Sequence, residues 1–210
     1  MTSRTLTEES IVDAALQVVR RGGVDALSMR ALSRELGMSP MAAYYYVANK
    51  QELLDLVAAR ALADITPSPS DLPWPQQLRA VIDQIDDALR THRGVGEVLL
   101  DRMHRTEQHV MRAVMQILSD AGFSDAEVVL AYALIHTYLF GRYRETMTPP
   151  PPAAGPAAVD DADIVSRAGP LSATLRGRDF YDFGVDTLIK GLEAQLATAK
   201  SSRRRHDRKH

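Results

Sequence analysis

The chain has no cysteine. That excludes disulfide staples, thiolate nucleophiles and cysteine-bound zinc, and nothing points to an oxidising compartment. Long apolar runs are missing too. The longest, "VVLAYALIHTYLF" from Val128 to Phe140, falls short of the roughly 18 residues a membrane span needs and carries His136 in its middle. The opening "MTSRTLTEES" is polar, without the apolar core of a secretory signal, so the sequence reads as a cytoplasmic protein with no membrane partner. Positive charge is not in excess. The net charge is -2, and within residues 1–66 Arg4, Arg20, Arg21, Arg30, Arg34, Lys50 and Arg60 stand against eight acidic side chains. Any nucleic-acid partner must therefore be argued from where charges sit rather than from their sum. There is no phosphate-cradling glycine loop, since "GVG" at 94–96 lacks the further glycines and a preceding strand, and no G-x-S-x-G nucleophile turn. Pairs such as His104 with Glu107 have helical i, i+3 spacing, which a solvated face explains. The residues thus speak against an enzyme and imply no cofactor; a helical adaptor that binds another protein stays open beside a DNA-binding module.

What is present is helical patterning and enough apolar residues, 45% of 210, for a substantial core. Residues 7–21 read as a helix with Thr7 as N-cap, Glu8 and Glu9 at the positive end of its dipole, and Ile11, Ala14, Ala15, Val18 and Val19 on one face. Gly22 and Gly23 stop it. Ser28 caps a second helix, with Leu27 and Leu32 at the spacing of a hydrophobic staple. Gly37 permits a tight turn, Ser39 caps a third helix and Pro40 takes its first position, where a missing N–H costs nothing. Ser33, small and four residues before Gly37, lets the two helices cross closely, which makes a helix-turn-helix pattern. In "MSPMAAYYYVANK", residues 38–50, three tyrosines advance by about 100° each along a helix, so they cannot all enter one core. At least one faces outward beside small alanines.

The helix at 51–65 is followed by "TPSPSDLPWP", whose prolines mark a connection. The expected organisation is a 1–66 helix-turn-helix domain, a 67–200 helical domain and a basic, disordered tail at 201–210. Further helices are expected at 76–92, 96–121 with a break near Arg105, 125–147, 161–168 and 179–199, separated before 161 by a mobile "TPPPPAAGPAAVDD". No β-alternating run appears, so the fold class is all-α.

The stretch "SMRALSRELGMSPMAAYYYVANKQELL" resembles the N-terminal signature of the tetracycline-repressor family of transcriptional regulators, over about residues 8–56. The C-terminal part, including "AGFSDAEVVLAYALIHTYLFG" and "FYDFGVDTLIKGL", looks like the ligand-binding and dimerisation domain of the same family. The resemblance implies a ligand-responsive regulator, usually a repressor, that binds a palindromic operator as a homodimer and is released by a small hydrophobic or amphipathic effector. A reading helix meets base edges with its N-terminal residues, which assigns Pro40, Met41, Ala42 and Tyr45 to base contact. None of these makes a bidentate hydrogen bond, so apolar fit to thymine methyls and DNA shape carry that part of the reading. Arg30 matches a position that bears a base-contacting arginine in the tetracycline repressors and suits a bidentate grip on guanine. Ser28, Ser39, Tyr44, Tyr46 and Lys50 suit phosphate contact. Ala43 stands where the family usually has a larger aliphatic residue.

The 125–147 helix is apolar nearly all round, which asks for two partners, and the last helix carries apolar residues and glycines on adjacent faces. Tyr132, Leu139, Phe180, Phe183, Gly184, Thr187, Leu188 and Gly191 are the candidate residues of a two-fold, four-helix dimer interface. The effector pocket that the family implies has Met103, His104, Met111, Met115, His136 and Tyr138 as candidates, with Trp74 behind them. No metal site is assigned, because His104 and His109, five apart and without a clear carboxylate companion, are weak evidence for one.

Overall fold

A computed structural model describes residues 7–67, 70–92, 94–96, 98–99, 108–147, 163–164, 167–168 and 177–207, with the backbone alone for 108, 144–147 and 203–207. The described residues are all-α, without a strand. The chain divides into two compact units, Met1–Ala121 and Gly122–His210.

In the first unit, α1 (Glu8–Gly22) starts at Thr7, whose hydroxyl accepts from the Ser10 N–H while the Ser10 hydroxyl accepts from the Thr7 N–H. The reciprocal cap satisfies two amides that no helical carbonyl can reach. α1 buries Ile11, Ala15, Leu16 and Val19 and ends where Gly23 takes a positive φ of 74°. One 3-10 turn, Val24–Ala26, leads to α2 (Met29–Leu36) and α3 (Pro40–Tyr44), which both pack by way of α2 onto α1. α4 (Lys50–Leu62) returns against α1 and α5 (Trp74–Thr91), and α5 packs on α6 (Gln108–Ala121). Burial of large aliphatic side chains such as Leu32, Leu53, Leu78 and Leu118, each contributing about 1.5–3 kcal/mol, holds this set together.

Local bonds tie the connection at residue 66, the expected domain boundary, into this unit. The Gln84 side chain accepts from the Thr66 N–H at 2.9 Å and donates to the Thr66 carbonyl at 3.0 Å, strapping the connection to α5. His109 of α6 meets the Leu62 carbonyl, at the open end of α4, at 3.1 Å. α5 starts at Trp74, two residues earlier than expected, because Pro75 is tolerated in a first turn. The break expected near Arg105, and the proline-rich segment after 147, lie outside the described residues, as does half of the helix expected at 161–168.

The second unit is built on α7 (Asp125–Met147) and α8 (Arg178–Asp207), which pack together. Glu127 accepts from both the N–H and hydroxyl of Ser124, fixing the start of α7 at 2.8 and 2.7 Å. The Tyr138 hydroxyl shares its proton between the Phe180 and Tyr181 carbonyls of α8, at 3.1 and 3.2 Å. The last helix runs to Asp207, which corrects the expected irregular tail: residues 201–207 are helical. No glycine or proline follows Gly191 before Asp207, so nothing in the backbone stops the helix at 199.

Candidate nucleic-acid interface

The Ser28 hydroxyl accepts from the Ala31 N–H at 3.1 Å, and its backbone is extended, so α2 begins where the sequence demands. α2 ends at Gly37, which adopts a left-handed conformation with φ 67° and ψ 32°, and the Met38 N–H returns to the Ser33 carbonyl at 2.9 Å. Ser33 is buried and satisfies its own hydroxyl on the Met29 carbonyl at 2.6 Å, so it packs at the crossing without an orphaned donor. Ser39 caps α3 through the Ala42 N–H at 3.3 Å, with Pro40 in the first turn.

α3 is only five residues long. Ala43 and Val47, four apart, are sealed against the rest of the unit, and this anchoring turns Met41 and Tyr45 to the opposite side. Met41 is 80% exposed and Tyr45 91%. Pro40 is exposed and Ala42 half-buried. Tyr45 and Tyr46 lie beyond the helix end rather than within it, because the chain reverses into an Asn49 cap; their rings meet edge to face at 6.1 Å. Tyr44 and Tyr46 are each about half exposed. Arg30, Ser28 and Ser39 are exposed. Lys50 is half-buried, with its ammonium donating to the Val24 carbonyl at 3.4 Å. An ion pair of Arg21 with Glu35 ties α1 to α2.

One supporting device escaped the sequence reading. The Asn49 side chain accepts from the Glu52 N–H at 2.9 Å while Glu52 accepts from the Ala48 N–H at 2.7 Å. The N-x-x-E spacing of "NKQE" is the signal that identifies it. It fixes the exit from α3 and hence the height at which Tyr45 and Tyr46 stand.

The second unit redistributes the expected interface residues. Tyr132 and Leu139 are buried within the protomer, and a Cβ at Gly184 would collide with the Tyr138 phenol, so these three serve internal packing. Leu188 is half-buried. The outward apolar stripe of α7 is instead Val129, Leu130 and Leu134, with Leu130 69% exposed. On α8, Phe180 and Phe183 are exposed, Phe183 at 74%, beside exposed Thr187 and Gly191. Apolar residues all round α7 hid which stripe turns in.

Of the effector candidates, Met103 and His104 lie outside the described residues. Met111 and Met115 on α6, and His136 and Tyr138 on α7, are half-buried. Trp74 is half-buried as well. His136 lies against the Phe140 ring at 4.5 Å, and Tyr138 commits its hydroxyl to α8. Arg142 is buried under the Tyr181 ring, 4.7 Å from its centroid, with Arg178 at 4.8 Å from the same ring. Burial is the main cause that lowers the Arg142 pKa from its ordinary value; Tyr181 opposes this and Arg178 adds to it. Among the described residues no cluster of acidic and histidine side chains could hold a metal ion, and no helix is long and apolar enough to cross a membrane.

Residues 11–57 match the family model for bacterial regulatory proteins of the tetR family, and residues 66–196 match the tetracyclin repressor-like C-terminal domain. The chain belongs to the tetR family. This tetR-family protein is a helix-turn-helix transcriptional regulator. It is 29% identical to the HTH-type transcriptional repressor DrrR1 of Streptomyces coeruleorubidus, over 92% of this chain and 79% of the relative. Among solved structures it is similar to the tetR-family protein ActR of Streptomyces coelicolor in complex with (S)-DNPA, at 26% identity and a TM-score of 0.77, covering 91% of this chain and 99% of that one. It is similar, too, to BioQ with its natural double-stranded DNA operator, at 26% identity and a TM-score of 0.66, covering 90% and 99%.

Proposed function

We propose that this tetR-family regulator is a cytoplasmic repressor that binds a palindromic operator as a homodimer and is released by a small hydrophobic or amphipathic molecule. In this reading residues 1–66 hold the DNA and residues 67–200 bind the effector and dimerise. The observation that carries it is the exposure of Met41 on a short helix, and of Tyr45 just past its end, directly after a complete helix-turn-helix turn. Pro40, Met41, Ala42 and Tyr45 then lie along base edges, where apolar side chains meet thymine methyls, and Arg30 supplies the guanidinium that grips guanine. Ser28, Ser39, Tyr44, Tyr46 and Lys50 hold the sugar-phosphate backbone on either side. The ligand complex of ActR and the operator complex of BioQ support the two halves of the reading. Met103, His104, Met111, Met115, His136 and Tyr138 are the effector candidates. The relatives named as repressors support a non-enzymatic role.

Two substitutions separate base reading from backbone grip. Arg30→Ala is expected to cost about 1–3 kcal/mol on the operator and to relax preference at one base position, with little change on random DNA. Lys50→Ala is expected to weaken binding uniformly and reduce the salt slope by about 1. Fluorescence anisotropy on operator and random duplexes at several salt concentrations measures both; equal losses for Arg30→Ala on the two duplexes would overturn the division of roles.

A further inference from the structure

The last turn of α1 and the end of α5 meet through a polar bond with an unusual requirement. The Arg20 Nη2 lies 2.9 Å from the His92 Nδ1. A guanidinium has donors only, so His92 must offer a lone pair at Nδ1 and carry its proton on Nε2. The neutral tautomer is therefore part of the contact. An imidazolium would set a second proton against the Arg20 cation and end it.

The surroundings fix the partners at close quarters. His92 closes α5, its N–H donating to the Ala88 carbonyl at 2.9 Å, and the Val95 N–H returns to the His92 carbonyl at 3.0 Å. In this turn Gly94 has φ 85°, and a Cβ there would stand 3.1 Å from both the Val19 carbonyl oxygen and Val19 Cγ1 of α1. Backbone thus presses on backbone beside the Arg20–His92 bond. Val95, Val98 and Leu99 beyond it are buried. Among the described residues, the charged groups that bear on His92 are Arg20 from α1 and, from α4 and the turn after it, Arg60 and Asp64, themselves bridged at 3.4 Å. Burial foremost, then Arg20 and Arg60, lower the His92 pKa, and Asp64 opposes them.

We propose that His92 is a positioning residue for operator binding, a proton-sensitive clasp that holds α1, and with it the reading helix, against the end of α5. The proposal rests on the DNA-binding reading above. Where the clasp is open, the head samples orientations that do not fit two major grooves, and apparent affinity falls by the fraction of closed molecules. The sign follows from linkage. The neutral form belongs to the closed state, so the clasp is complete above about pH 6.5, the ordinary value for histidine, and weakens as pH falls below it. The weakening stops once pH lies below the lowered value of the closed state. His92→Asn places a carbonyl oxygen near the position of Nδ1 and removes the titration.

The test uses the full chain and an operator selected by the protein from a random duplex pool at pH 7.5. Dissociation constants are measured from pH 5.5 to 8 at constant ionic strength for the wild type, His92→Asn, His92→Ala and Arg20→Ala. The wild type is expected to lose about tenfold more affinity than His92→Asn on going to pH 5.5, whereas His92→Ala and Arg20→Ala start about tenfold weaker at pH 7.5 and show no such additional loss. Thermal melts at each pH confirm that all four chains are folded. Superimposed pH profiles for wild type and His92→Asn, or wild-type affinity in His92→Ala, overturn the clasp. Failure to select any operator counts against the DNA-binding reading instead, and the clasp is then judged on the free protein by NMR titration of His92. Its pKa should rise in Arg20→Ala; an unchanged value there overturns the clasp.

Discussion

Leu130→Asp combined with Phe183→Asp is expected to leave the protein folded, monomeric and unable to hold its operator at nanomolar concentration. Both side chains are more than two-thirds exposed in the protomer, so their removal opens no cavity, and helicity should stay unchanged. Large apolar side chains standing in a row on α7 and α8 are costly to leave in water when each contributes about 1.5–3 kcal/mol on being covered. In a two-fold interface every change acts twice, and each new carboxylate must be desolvated or pushed out. The dimer dissociation constant should rise by more than about a thousandfold. Sedimentation velocity measures this directly. A variant that sediments as a dimer would show that copies meet through some other face. Tyr132→Ala serves as the contrast: this buried ring is expected to reduce thermal stability without selectively dissociating the dimer.

Met41→Asp with Tyr45→Asp attacks the other surface. Both residues are largely exposed, so thermal stability should move by no more than about 0.5 kcal/mol. Operator affinity should nonetheless fall at least about a hundredfold, because the apolar contacts to base edges are lost and two carboxylates face the phosphate-lined groove. Dimerisation is untouched in this variant, which separates it from the first. Operator affinity within twofold of wild type would mean that α3 does not enter the groove.

The parts of this molecule that local rules govern were legible in its sequence. Ser28, Gly37, Ser39 and Pro40 each state a backbone requirement that the chain obeys, and the turn they specify is the one formed. Tyr44, Tyr45 and Tyr46 were legible as a set that could not all be buried. The point at which α3 stops was less so, since the reversal depends on Val47 finding a buried seat and on the Asn49–Glu52 cap. Where sequence pattern is uniform it loses its power. α7 is apolar on every side, so Tyr132 and Leu139 could not be told from Leu130 and Leu134; only the packing of α8, with Tyr138 clamped over Gly184, decides which stripe turns inward. The Arg20–His92 bond joins residues 72 positions apart, and no periodicity announces it.

Operator recognition of the kind proposed depends on paired reading helices held at a fixed separation. Hydroxyl-radical footprinting of the selected operator by the wild-type chain measures that separation. Two protected segments related by two-fold symmetry, with the major grooves they flank about 34–36 Å apart on one face of the duplex, are predicted. A single asymmetric protected segment, or a footprint that survives intact in the Met41→Asp and Tyr45→Asp variant, would contradict it.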